Sequence, residues 1–378
     1  MPKIILVANY LPDQQASMQR FANMLAGGVT DSALKIEILR PQPLIYTDSG
    51  RPMGAAKFAG YLDKFALFLP KLLKAAKSAD LVHICDHSNA AYVQFLPNIA
   101  TLVTCHDMLA FRQVLGENTE CRASRSGKYL RLWQLSGLKK ATAIVCDSEY
   151  TRADVVRTGT APAAKVATVK LGIDATFTQL NEVEIQNRLA KVNLDLSQPF
   201  VLNVGTEHPR KNRAAVLRVF AASQAQLRGK LVLAGQPLSS ASTALAVSLG
   251  IKQDIIELQN ADDDLLCALY NRAFAFLFPS KFEGFGWPPL EAQACGCAVI
   301  ASNIGPLKEN LGESALLRNV EDEAGMSKDL LTLLDNQQRQ IWREKSLNNV
   351  IQFSTEQMIQ QYVNIYLELC AKRQALKD

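Results

Sequence analysis

The sequence has no apolar run that approaches the roughly 20 residues needed to cross a bilayer. Its first residues, Met1, Pro2 and Lys3, lead directly into the strand-like IILVANY, so the charged-then-apolar pattern of a secretory leader is absent. We therefore expect a cytoplasmic protein that does not span a membrane. With 378 residues, 48% of them hydrophobic, the chain is long enough for two domains with well-filled cores.

Glycine-rich phosphate-binding motifs are also missing. The turn after the first strand-like run, NYLPDQQAS, contains no glycine, and the corresponding turn of the second half, GTEHPRKN, contains only one. Neither turn fits the GxGxxG pattern, and no Walker-type loop occurs. These absences disfavour a dinucleotide-dependent dehydrogenase.

The cysteines lack the spacing of a zinc knuckle. Most of the eight lie in apolar runs, and Cys295-Gly-Cys297 is too tight for that motif. We therefore expect reduced thiols in the core. Five His and Cys residues lie close together in sequence and raise the alternative of a zinc site: His83, Cys85, His87, Cys105 and His106. They include no second ligand pair with standard spacing, so we favour a chain without zinc.

Three consecutive acidic residues, Asp262, Asp263 and Asp264, imitate an Asp-x-Asp metal-binding motif. They open the helical segment DLLCALYNRA, and acidic side chains are favourable at a helix N-terminus. We predict a helix cap here and no metal site.

Short β-branched runs alternate with segments of helical length along the whole chain. In the first half the runs are IILVANY (4–10), LKIEILR (34–40), LVHIC (81–85), TLVTC (101–105), AIVCDS (143–148) and VATVKLG (166–172). After a polar stretch near 174–198 they are FVLNVGT (200–206), KLVLAG (230–235), IIELQ (255–259), AFLFPS (275–280) and AVIAS (298–302). This alternation is typical of βαβ units on parallel sheets. It predicts an α/β protein with two doubly wound domains, linked near Asp174.

Ligands of such sheets bind beyond the carboxyl ends of the strands. The loop GTEHPRKN, residues 205–212, follows a predicted strand and precedes a predicted helix. Arg210 and Lys211 should therefore lie near a helix N-terminus, whose free N–H groups favour phosphate. A solvated basic pair is the alternative, but the position after a strand favours an anion site.

Two carboxylates flank a glycine- and proline-rich turn in KFEGFGWPPLEAQACG, which begins at residue 281. Pro288 and Pro289 suit the first turn of a helix, so Glu283 should lie in the turn and Glu291 about one turn into the helix. The glycines beside Glu283 let the backbone approach a ligand closely. The alternative is that Glu283 and Glu291 are ordinary charges on the surface of a helix. The arrangement favours a polyhydroxylated, phosphate-bearing ligand, with Glu291 suited to paired hydroxyls such as those of a ribose.

These motifs resemble those of the family 4 retaining glycosyltransferases of the GT-B fold. EGFGWPPLEA matches their Glu-x7-Glu motif, GTEHPRKN is similar to their phosphate-clamping loop, and HICDH, TCHDML and CDSEYTRADV are similar to first-domain motifs of bacterial cell-envelope members. The resemblance implies two Rossmann-like domains that face each other across a cleft. Residues 1–173, completed by a C-terminal helix at 355–378, would bind the acceptor, and residues 174–354 would bind the donor.

The resemblance also assigns donor-site roles. Glu283 would contact the hydroxyls of the donor sugar, and Glu291 would hold the donor ribose. Arg210 and Lys211 would clamp the diphosphate and stabilise it as it leaves. The other donor-binding residues would be Asn260, Gly284, Phe285, Gly286 and Trp287. Many members begin the clamping loop with Gly-Arg, and Thr206 replaces that arginine here, so the grip on the donor depends more on Arg210 and Lys211.

In the first domain, His106 matches the family histidine near the reacting sugar, and Asp107 would orient either that histidine or the acceptor. A hydrogen-bonded structural histidine is the alternative. Most members carry two glycines in the first loop, where this chain has Gln14, Gln15 and Ser17. We assign Gln15 and Ser17 to the acceptor side, with a helix cap as the alternative for Ser17.

The implied function is a metal-independent, retaining hexosyltransferase. It would move a sugar from a UDP- or GDP-sugar to a glycan or lipid-linked acceptor in cell-envelope polysaccharide synthesis, with no further cofactor. A cation pair and helix amides can stabilise the departing diphosphate, and an acceptor that gives its proton to that phosphate needs no dedicated base. A transferase that makes a small soluble glycoside, a nucleotide-sugar epimerase and a non-catalytic binding protein stay open as alternatives.

Positive charge is concentrated in the first half, where residues 1–180 contain 21 basic and 14 acidic residues, a net charge of +7. At 100° per residue, segment 57–77 separates an apolar side from a basic side. The apolar side has Phe58, Leu62, Phe65, Leu69, Leu72 and Leu73, and the basic side has Lys57, Lys64, Lys71, Lys74 and Lys77. This pattern predicts either a surface helix packed on the sheet or a helix that binds an anionic membrane surface, with a kink at Pro70. The second interpretation would make the protein peripheral at the inner face of the cytoplasmic membrane.

A second basic run occupies residues 121–140. It contributes Arg122, Arg125, Lys128 and Arg131. Because it lacks interleaved stacking aromatics, we do not expect a nucleic-acid partner.

Overall fold

The chain divides into two compact units, each built around a parallel β-sheet. The computed structural model describes residues 1–29, 34–46, 53–54, 56–96, 98–119, 124–190, 192 and 198–375. The first unit contains Met1–Leu171 and Thr355–Asp378, and the second contains Gly172–Ser354. Among the described residues, each unit has one six-stranded sheet.

The sheet of the first unit carries the following strands. They are β1 Lys3–Val7, β2 Lys35–Leu39, β3 Leu81–Ile84, β4 Ala100–Cys105, β5 Ala143–Cys146 and β6 Val166–Thr168. All neighbours are parallel, in the order β2-β1-β3-β4-β5-β6. The central strands β3 and β4 are buried along their whole length, as expected for a parallel sheet covered on both faces.

The helices of the first unit connect these strands. They are α1 Ala16–Gly28, α2 Ala56–Tyr61, α3 Phe68–Ala76, α4 Leu109–Val114, α5 Arg125–Lys140 and α6 Glu149–Arg157. A π-helical segment, Leu62–Leu67, joins α2 directly to α3. Short 3-10 turns lie at Leu11–Asp13, His87–Phe95 and Ala163–Lys165.

The second unit repeats the pattern with its own sheet. Its strands are β7 Phe200–Gly205, β8 Lys230–Gly235, β9 Ile255–Leu258, β10 Ala275–Phe278, β11 Val299–Ser302 and β12 Leu316–Arg318. The order is β12-β11-β10-β7-β8-β9, so the strand order reverses between β7 and β10. Ligands of open α/β sheets bind beside such a reversal, because the loops that leave the two strands diverge there. The loops after β7 and β10 are therefore the expected site.

The helices of the second unit are α7 Glu182–Leu189, α8 Arg213–Leu227, α9 Ser240–Ser248, α10 Asp263–Arg272, α11 Trp287–Ala294, α12 Gly305–Leu311, α13 Glu323–Thr332 and α14 Asn336–Val350. The last helix, α15 Thr355–Ala375, returns to the first unit and packs against its sheet. There Tyr366 Oη lies 2.8 Å from His83 Nδ1, and Tyr362 Oη lies 3.0 Å from Thr104 Oγ1.

Most of the secondary structure agrees with the sequence prediction. Each of the eleven predicted strands is present, and a twelfth, β12, which has only three residues, was not predicted. The Asp262 side chain accepts from Leu265 N at 2.8 Å, so the predicted helix cap is confirmed. The suggested cap at Ser17 is wrong, because α1 begins at Ala16 and Ser17 lies inside its first turn.

The cysteines of the described residues are free and buried, as predicted for reduced core thiols. They are Cys85, Cys105, Cys146, Cys267, Cys295, Cys297 and Cys370. Arg122, which we counted in the second basic run, lies outside the described residues. In the described part of the chain, no helix is both long and apolar enough to cross a bilayer.

Segment 57–77 departs from a regular amphipathic helix. Phe65, Leu69, Leu72 and Leu73 pack on the core of the first unit, as the apolar side predicts. Phe58 and Leu62, assigned to the same side, are 71% and 49% exposed. Pro70 lies in the first turn of α3, directly after the π segment, and has no N–H to give to the carbonyl of Ala66. The π segment therefore ends before Pro70, the residue at which we expected a kink.

Asp63 accounts for the altered register of this segment. Its carboxylate is fully buried and accepts from Tyr10 Oη at 2.7 Å. It also accepts from the backbone N–H groups of Leu44, Ile45 and Tyr46, at 3.2, 2.8 and 3.1 Å. In the wider π turn this carboxylate lies toward the 44–46 loop. The residues that follow the π segment therefore do not lie at the angular positions that a regular 100° per residue predicts.

Candidate functional site

The loop after β7 is shaped by a 3-10 turn at Pro209–Lys211 and by Asn212, whose φ of 54° is left-handed. The turn places Arg210 and Lys211 immediately before α8, as the sequence predicts. Gly205, at the end of β7, has a φ of 153°, and a Cβ there would contact the Lys211 side chain at 3.6 Å. That contact is of ordinary van der Waals length, so glycine is favoured here by its φ, which residues with a side chain rarely adopt.

Lys211 and Arg210 converge on Glu283, in the loop after β10. Lys211 Nζ donates to Glu283 Oε1 at 2.7 Å, and Arg210 Nη1 donates to Oε2 at 2.9 Å. Arg210 Nη1 also donates to the carbonyl of Phe282 at 3.2 Å. The Lys211 ammonium lies 4.6 Å from the ring centroid of Phe278. The structure thus joins two motifs that lie 72 residues apart in sequence.

The charges of Glu283 and Lys211 are largely removed from water. The Glu283 side chain is 8% exposed and that of Lys211 13%. Burial alone would raise the pKa of Glu283, but the cations of Lys211 and Arg210 outweigh it and hold that pKa below its ordinary value. Burial lowers the pKa of Lys211, and the Glu283 carboxylate opposes that effect. Arg210, Lys211 and Glu283 together carry a net charge of +1. The two cations are therefore suited to an anion with more negative charge than the Glu283 carboxylate.

The turn that follows Glu283 leads into α11. Gly286 has a left-handed φ of 99°, and α11 begins at Trp287 with Pro288 and Pro289 in its first turn, as predicted. Glu291 is buried within this helix, where its Oε2 accepts from Tyr270 Oη at 3.3 Å. Both carboxylates of the motif therefore lie in the same unit, one in the loop and one in the helix.

Trp287, expected on the donor side, has a structural hydrogen bond. Its indole Nε1 donates to the carbonyl of Gly172 at 3.0 Å, and the side chain is buried. Asn260 is exposed, has a left-handed φ of 55° and lines a cavity of about 380 Å³. The same cavity is lined by Gly205 and Thr206 of the clamping loop and by Gly235 at the end of β8. The cavity therefore lies beside the ends of β7 and β8, next to the loop that carries Arg210 and Lys211.

Arg213 supports the clamping loop, a role that the sequence analysis missed. It is buried, and its guanidinium donates to Asn203 Oδ1 at 2.6 Å, to the carbonyl of Gly205 at 3.0 Å and to Glu207 Oε1 at 3.1 Å. Glu207 also accepts from Ser242 Oγ at 2.8 Å. The network ties both ends of the loop to β7. The third basic residue in RKNR was the only sequence signal for it.

In the first unit, His106 lies directly after β4 and is 5% exposed. Its Nδ1 is 2.6 Å from Asp147 Oδ2, and its Nε2 is 2.8 Å from the carbonyl oxygen of Cys85. A carbonyl only accepts, so Nε2 carries a proton. Burial alone would lower the pKa of His106, but Asp147 and Asp86 raise it to about 9, and the ring is therefore an imidazolium at neutral pH.

Asp147, and not Asp107, orients this histidine. The Asp107 carboxylate instead accepts from the backbone N–H of Leu109 at 2.9 Å, because it caps the turn that leads into α4. The expectation that Asp107 orients His106 is therefore wrong, and its alternative role toward the acceptor stays a prediction. Asp147 follows β5 directly, so the rule that sites lie after strand ends would have found it. Burial raises the pKa of Asp147, while the imidazolium opposes that change.

Gln15 lies near the carboxyl end of β1. Its Oε1 accepts from Asn9 Nδ2, which also donates to Asp86 Oδ2 at 2.5 Å. Gln15 lines a cavity of about 220 Å³ together with Tyr61 and Gln134. Ser17 is exposed. Among the described residues, no three or more His, Cys, Asp or Glu side chains are grouped to hold a metal ion.

Comparisons with known families give a consistent result. The family described as "Glycosyl transferases group 1" matches residues 184–350, and the family described as "Glycosyltransferase Family 4" matches residues 29–177. The two matches together cover most of the chain, and each falls almost entirely within one unit.

Two curated relatives come from Escherichia coli. The chain is 30% identical to "O-antigen chain mannosyltransferase B" over 244 residues, 63% of this chain and 64% of the relative. It is 29% identical to "Serotype-specific mannosyltransferase WbdA" over 231 residues, 59% of this chain and 28% of the relative. The chain thus matches less than two thirds of the length of each of these relatives.

Solved structures share the fold over nearly the whole chain. Sucrose-phosphate synthase from Thermosynechococcus elongatus has a TM-score of 0.77 at 18% identity, with 98% of this chain and 100% of that chain covered. WaaG, "a glycosyltransferase involved in lipopolysaccharide biosynthesis", has a TM-score of 0.73 at 16% identity, with 96% and 99% covered. These likenesses and the two parallel sheets confirm the predicted GT-B fold.

Proposed function

Because the chain belongs to the family 4 glycosyltransferases, we propose that it transfers a hexose from a nucleotide diphosphate sugar to a glycan or lipid-linked acceptor in cell-envelope polysaccharide synthesis. The observation that carries this proposal is the ion-paired triad of Glu283, Arg210 and Lys211, with Glu291 on the adjoining helix. Preorganised cations support a diphosphate and carboxylates support hydroxyl groups, and a nucleotide sugar carries both.

We propose mannose as the transferred sugar, because the two E. coli relatives are named mannosyltransferases. The donor base stays open between uracil and guanine. The cavity lined by Asn260 and Thr206 is a suitable place for the base, since it lies beside the clamping loop in the same unit. Glu291 would then accept hydrogen bonds from the ribose hydroxyls.

In the proposed reaction, the acceptor hydroxyl oxygen bonds to the anomeric carbon while the bond from that carbon to the phosphate oxygen breaks. The proton of the acceptor hydroxyl goes to the departing phosphate on the same face, so configuration is retained. Arg210 and Lys211 stabilise the negative charge that develops on the leaving group, which supports a reaction without a metal ion. In the first unit, His106 would keep a fixed positive charge near the carboxyl end of β4, since its ring nitrogens are held by Asp147 and Cys85.

We also propose that the first unit binds the anionic membrane surface that carries the acceptor. On segment 57–77, the exposed apolar side chains of Phe58 and Leu62 lie on the same helical segment as the exposed lysines Lys57, Lys71 and Lys74. Lys64 is not part of this surface, because its Nζ lies 2.9 Å from Asp13 Oδ2. Apolar side chains among lysines are typical of helices that lie in a membrane interface.

Helix α5 extends this surface. Phe65 of the π segment and Trp133 of α5 have ring centroids 4.8 Å apart, so the two segments are neighbours. On the N-terminal half of α5, Tyr129 is 76% and Leu132 45% exposed. Arg125 and Lys128 on the same half are exposed as well. Segment 57–77 and α5 therefore both carry exposed apolar side chains among exposed basic residues.

A panel of nucleotide sugars tests the proposed function. UDP- and GDP-linked hexoses would be incubated with the protein and a mannoside or lipid-linked acceptor, and both released nucleoside diphosphate and glycosylated product would be measured. We expect product from one mannosyl donor. Binding without turnover would favour a binding protein, interconversion of the free nucleotide sugar would favour an epimerase, and no binding of any donor would refute the proposal.

A further inference from the structure

Helix α12 contacts the loop between Glu283 and α11 at two points. The first is steric: a Cβ added at Gly286 would lie 2.4 Å from Leu307 Cδ2. The second is polar: Asn310, one helical turn after Leu307, donates from its Nδ2 to the carbonyl oxygen of Phe285 at 2.8 Å. Asn310 is 1% exposed. The loop therefore rests on α12 through both a packing contact and a hydrogen bond.

The hydrogen bond to Phe285 determines the direction of a neighbouring donor. The carbonyl of Phe285 and the N–H of Gly286 belong to the same planar, trans peptide unit, so the two point in opposite directions. When Asn310 holds the carbonyl toward α12, the N–H of Gly286 is directed away from α12. Gly286 has a left-handed φ of 99°, a conformation that glycine adopts at little cost.

Asn310 is itself fixed by the side-chain amides of Asn349 and Gln293, of which Gln293 is buried. The Asn349 Nδ2 of α14 donates to the backbone carbonyl of Asn310 at 2.9 Å and to Gln293 Oε1 at 2.8 Å. Gln293, fully buried on α11, donates in turn to Ser314 Oγ at 2.8 Å. Gln293 lies two residues after Glu291, so the same network fixes the helix that carries the second carboxylate.

The side-chain oxygen of Asn310 has no hydrogen-bond partner among the residues that the structure describes, although it is buried. An unpaired buried acceptor is destabilising. An apolar residue of the same shape would avoid that cost but would lose the bond to Phe285. Asn310 therefore holds the Phe285 carbonyl while its own side-chain oxygen stays unpaired.

We propose that Asn310 is a positioning residue for the donor sugar. By holding the Phe285 carbonyl, it fixes the direction of the Gly286 N–H and the conformation of the loop that follows Glu283, so that this loop can bind the sugar. This inference rests on the proposed function, because it assumes that the loop contacts a nucleotide sugar. Asn310 itself does not contact the donor. Its effect should fall on the sugar part of donor binding and on turnover, and should spare the nucleoside diphosphate, which Glu291, Arg210 and Lys211 hold.

The test is Asn310→Leu, a change that keeps the approximate volume and removes both the bond and the unpaired oxygen. We expect a folded protein whose melting temperature falls by no more than the loss of one buried hydrogen bond explains, and a nucleoside diphosphate affinity within about twofold. The extra affinity that the sugar provides, and kcat, should each fall by about tenfold, the scale of one lost hydrogen bond in a buried site. The matched control is Asn271→Leu, because Asn271 Nδ2 also donates to a backbone carbonyl, that of Thr178, at 2.8 Å. The control should leave donor affinity and kcat unchanged.

A second variant covers the case in which Asn310→Leu does not fold. In Asn310→Asp, the carboxyl can donate to Phe285 only when it is protonated, so its activity relative to the wild type should rise as the pH falls. Wild-type sugar binding and kcat in Asn310→Leu would overturn the inference, as would an equal loss for nucleoside diphosphate and nucleotide sugar accompanied by a lower melting temperature. A pH-independent activity ratio in Asn310→Asp would overturn it as well. If the wild type binds no nucleotide sugar, it is the proposed function that fails.

Discussion

Lys211 donates a hydrogen bond to Glu283, and the Nζ and Oε1 atoms lie 2.7 Å apart across two loops that are 72 residues apart in sequence. The contact exists because β7 and β10 are neighbours at the point where the strand order of the second sheet reverses. The loop that carries the basic pair and the loop that opens the Glu-x7-Glu motif therefore form one site. Without a donor, Glu283 neutralises part of the positive charge of Arg210 and Lys211 to which a diphosphate would bind.

The basic pair should be essential for turnover. Changing either Arg210 or Lys211 to Ala should lower kcat by about 100-fold or more, the scale of losing one contact to the charge that develops in the transition state. Steady-state kinetics with the donor identified in the panel would measure this. The matched control is Arg218→Ala, on α8, because Arg218 is also ion-paired, with its Nη2 2.5 Å from Glu323 Oε1. Wild-type kinetics in both site variants would remove the pair from the mechanism.

The His106–Asp147 pair should make the stability of the first unit depend on pH. The pKa of His106 is raised to about 9 in the folded protein, above its ordinary value of 6.5. The imidazolium therefore stabilises the fold fully below about pH 6.5, and this contribution is lost as the pH rises through about 9.

Urea unfolding between pH 6 and pH 10 measures this effect. The variant Asp147→Asn keeps the shape of the side chain but removes the carboxylate, so the fall in its unfolding free energy between pH 6.5 and 9 should be smaller than in the wild type. Titrating groups other than His106 and Asp147 are common to both proteins and cancel in the comparison. Parallel pH curves for the two proteins would show that His106 is not held as an imidazolium.

Membrane attachment should depend on the exposed lysines of segment 57–77. Wild-type protein should sediment with vesicles that contain anionic lipid, and binding should decline from low to high salt, because each lysine near the surface contributes about 1 kcal/mol that salt screens. Replacing Lys57, Lys71 and Lys74 with Gln should weaken sedimentation. Phe58→Ser should weaken it too, with little change in salt dependence, because it removes an apolar contact.

The matched control removes the same charge from the second unit, at its exposed lysines Lys308, Lys328 and Lys345. This variant should sediment with anionic vesicles like the wild type. If the wild type does not bind anionic vesicles even at low ionic strength, the membrane surface is not a partner, and a soluble acceptor becomes the better proposal.

The parts of the fold and site that were predictable depend on local pattern. Buried parallel strands are short apolar runs, so their positions could be read from the sequence, and side chains directly after them were rightly placed at strand ends. Arg210, Lys211 and Glu283 were found in this way. The three-residue β12 has too few residues to produce a pattern, and it was missed.

The features that were missed depend on contacts between distant residues. Asp147 holds His106 from 41 residues away, whereas the sequence neighbour Asp107 turns its carboxylate to the backbone of its own turn. The amide of Asn310 reaches Phe285 across 25 residues, with no motif to mark it. Segment 57–77 follows a regular helical period only in part, because it contains a π segment, Leu62–Leu67, in which Asp63 is buried. None of these contacts leaves a periodic signal.

The central claim is that Glu283 serves the sugar and Glu291 the nucleoside. Removing Glu283 also frees Arg210 and Lys211 for phosphate, whereas removing Glu291 takes away an acceptor on α11 for the ribose hydroxyls. Calorimetric titration of the wild type, Glu283→Gln and Glu291→Ala with the nucleoside diphosphate and with the nucleotide sugar separates these roles most directly.

We predict that Glu283→Gln binds the nucleoside diphosphate at least as tightly as the wild type but loses the additional affinity that the sugar provides. Glu291→Ala should lose about tenfold in affinity for both ligands, in line with the loss of a hydrogen bond to a charged group. An equal loss of affinity for the two ligands in both variants would contradict the account.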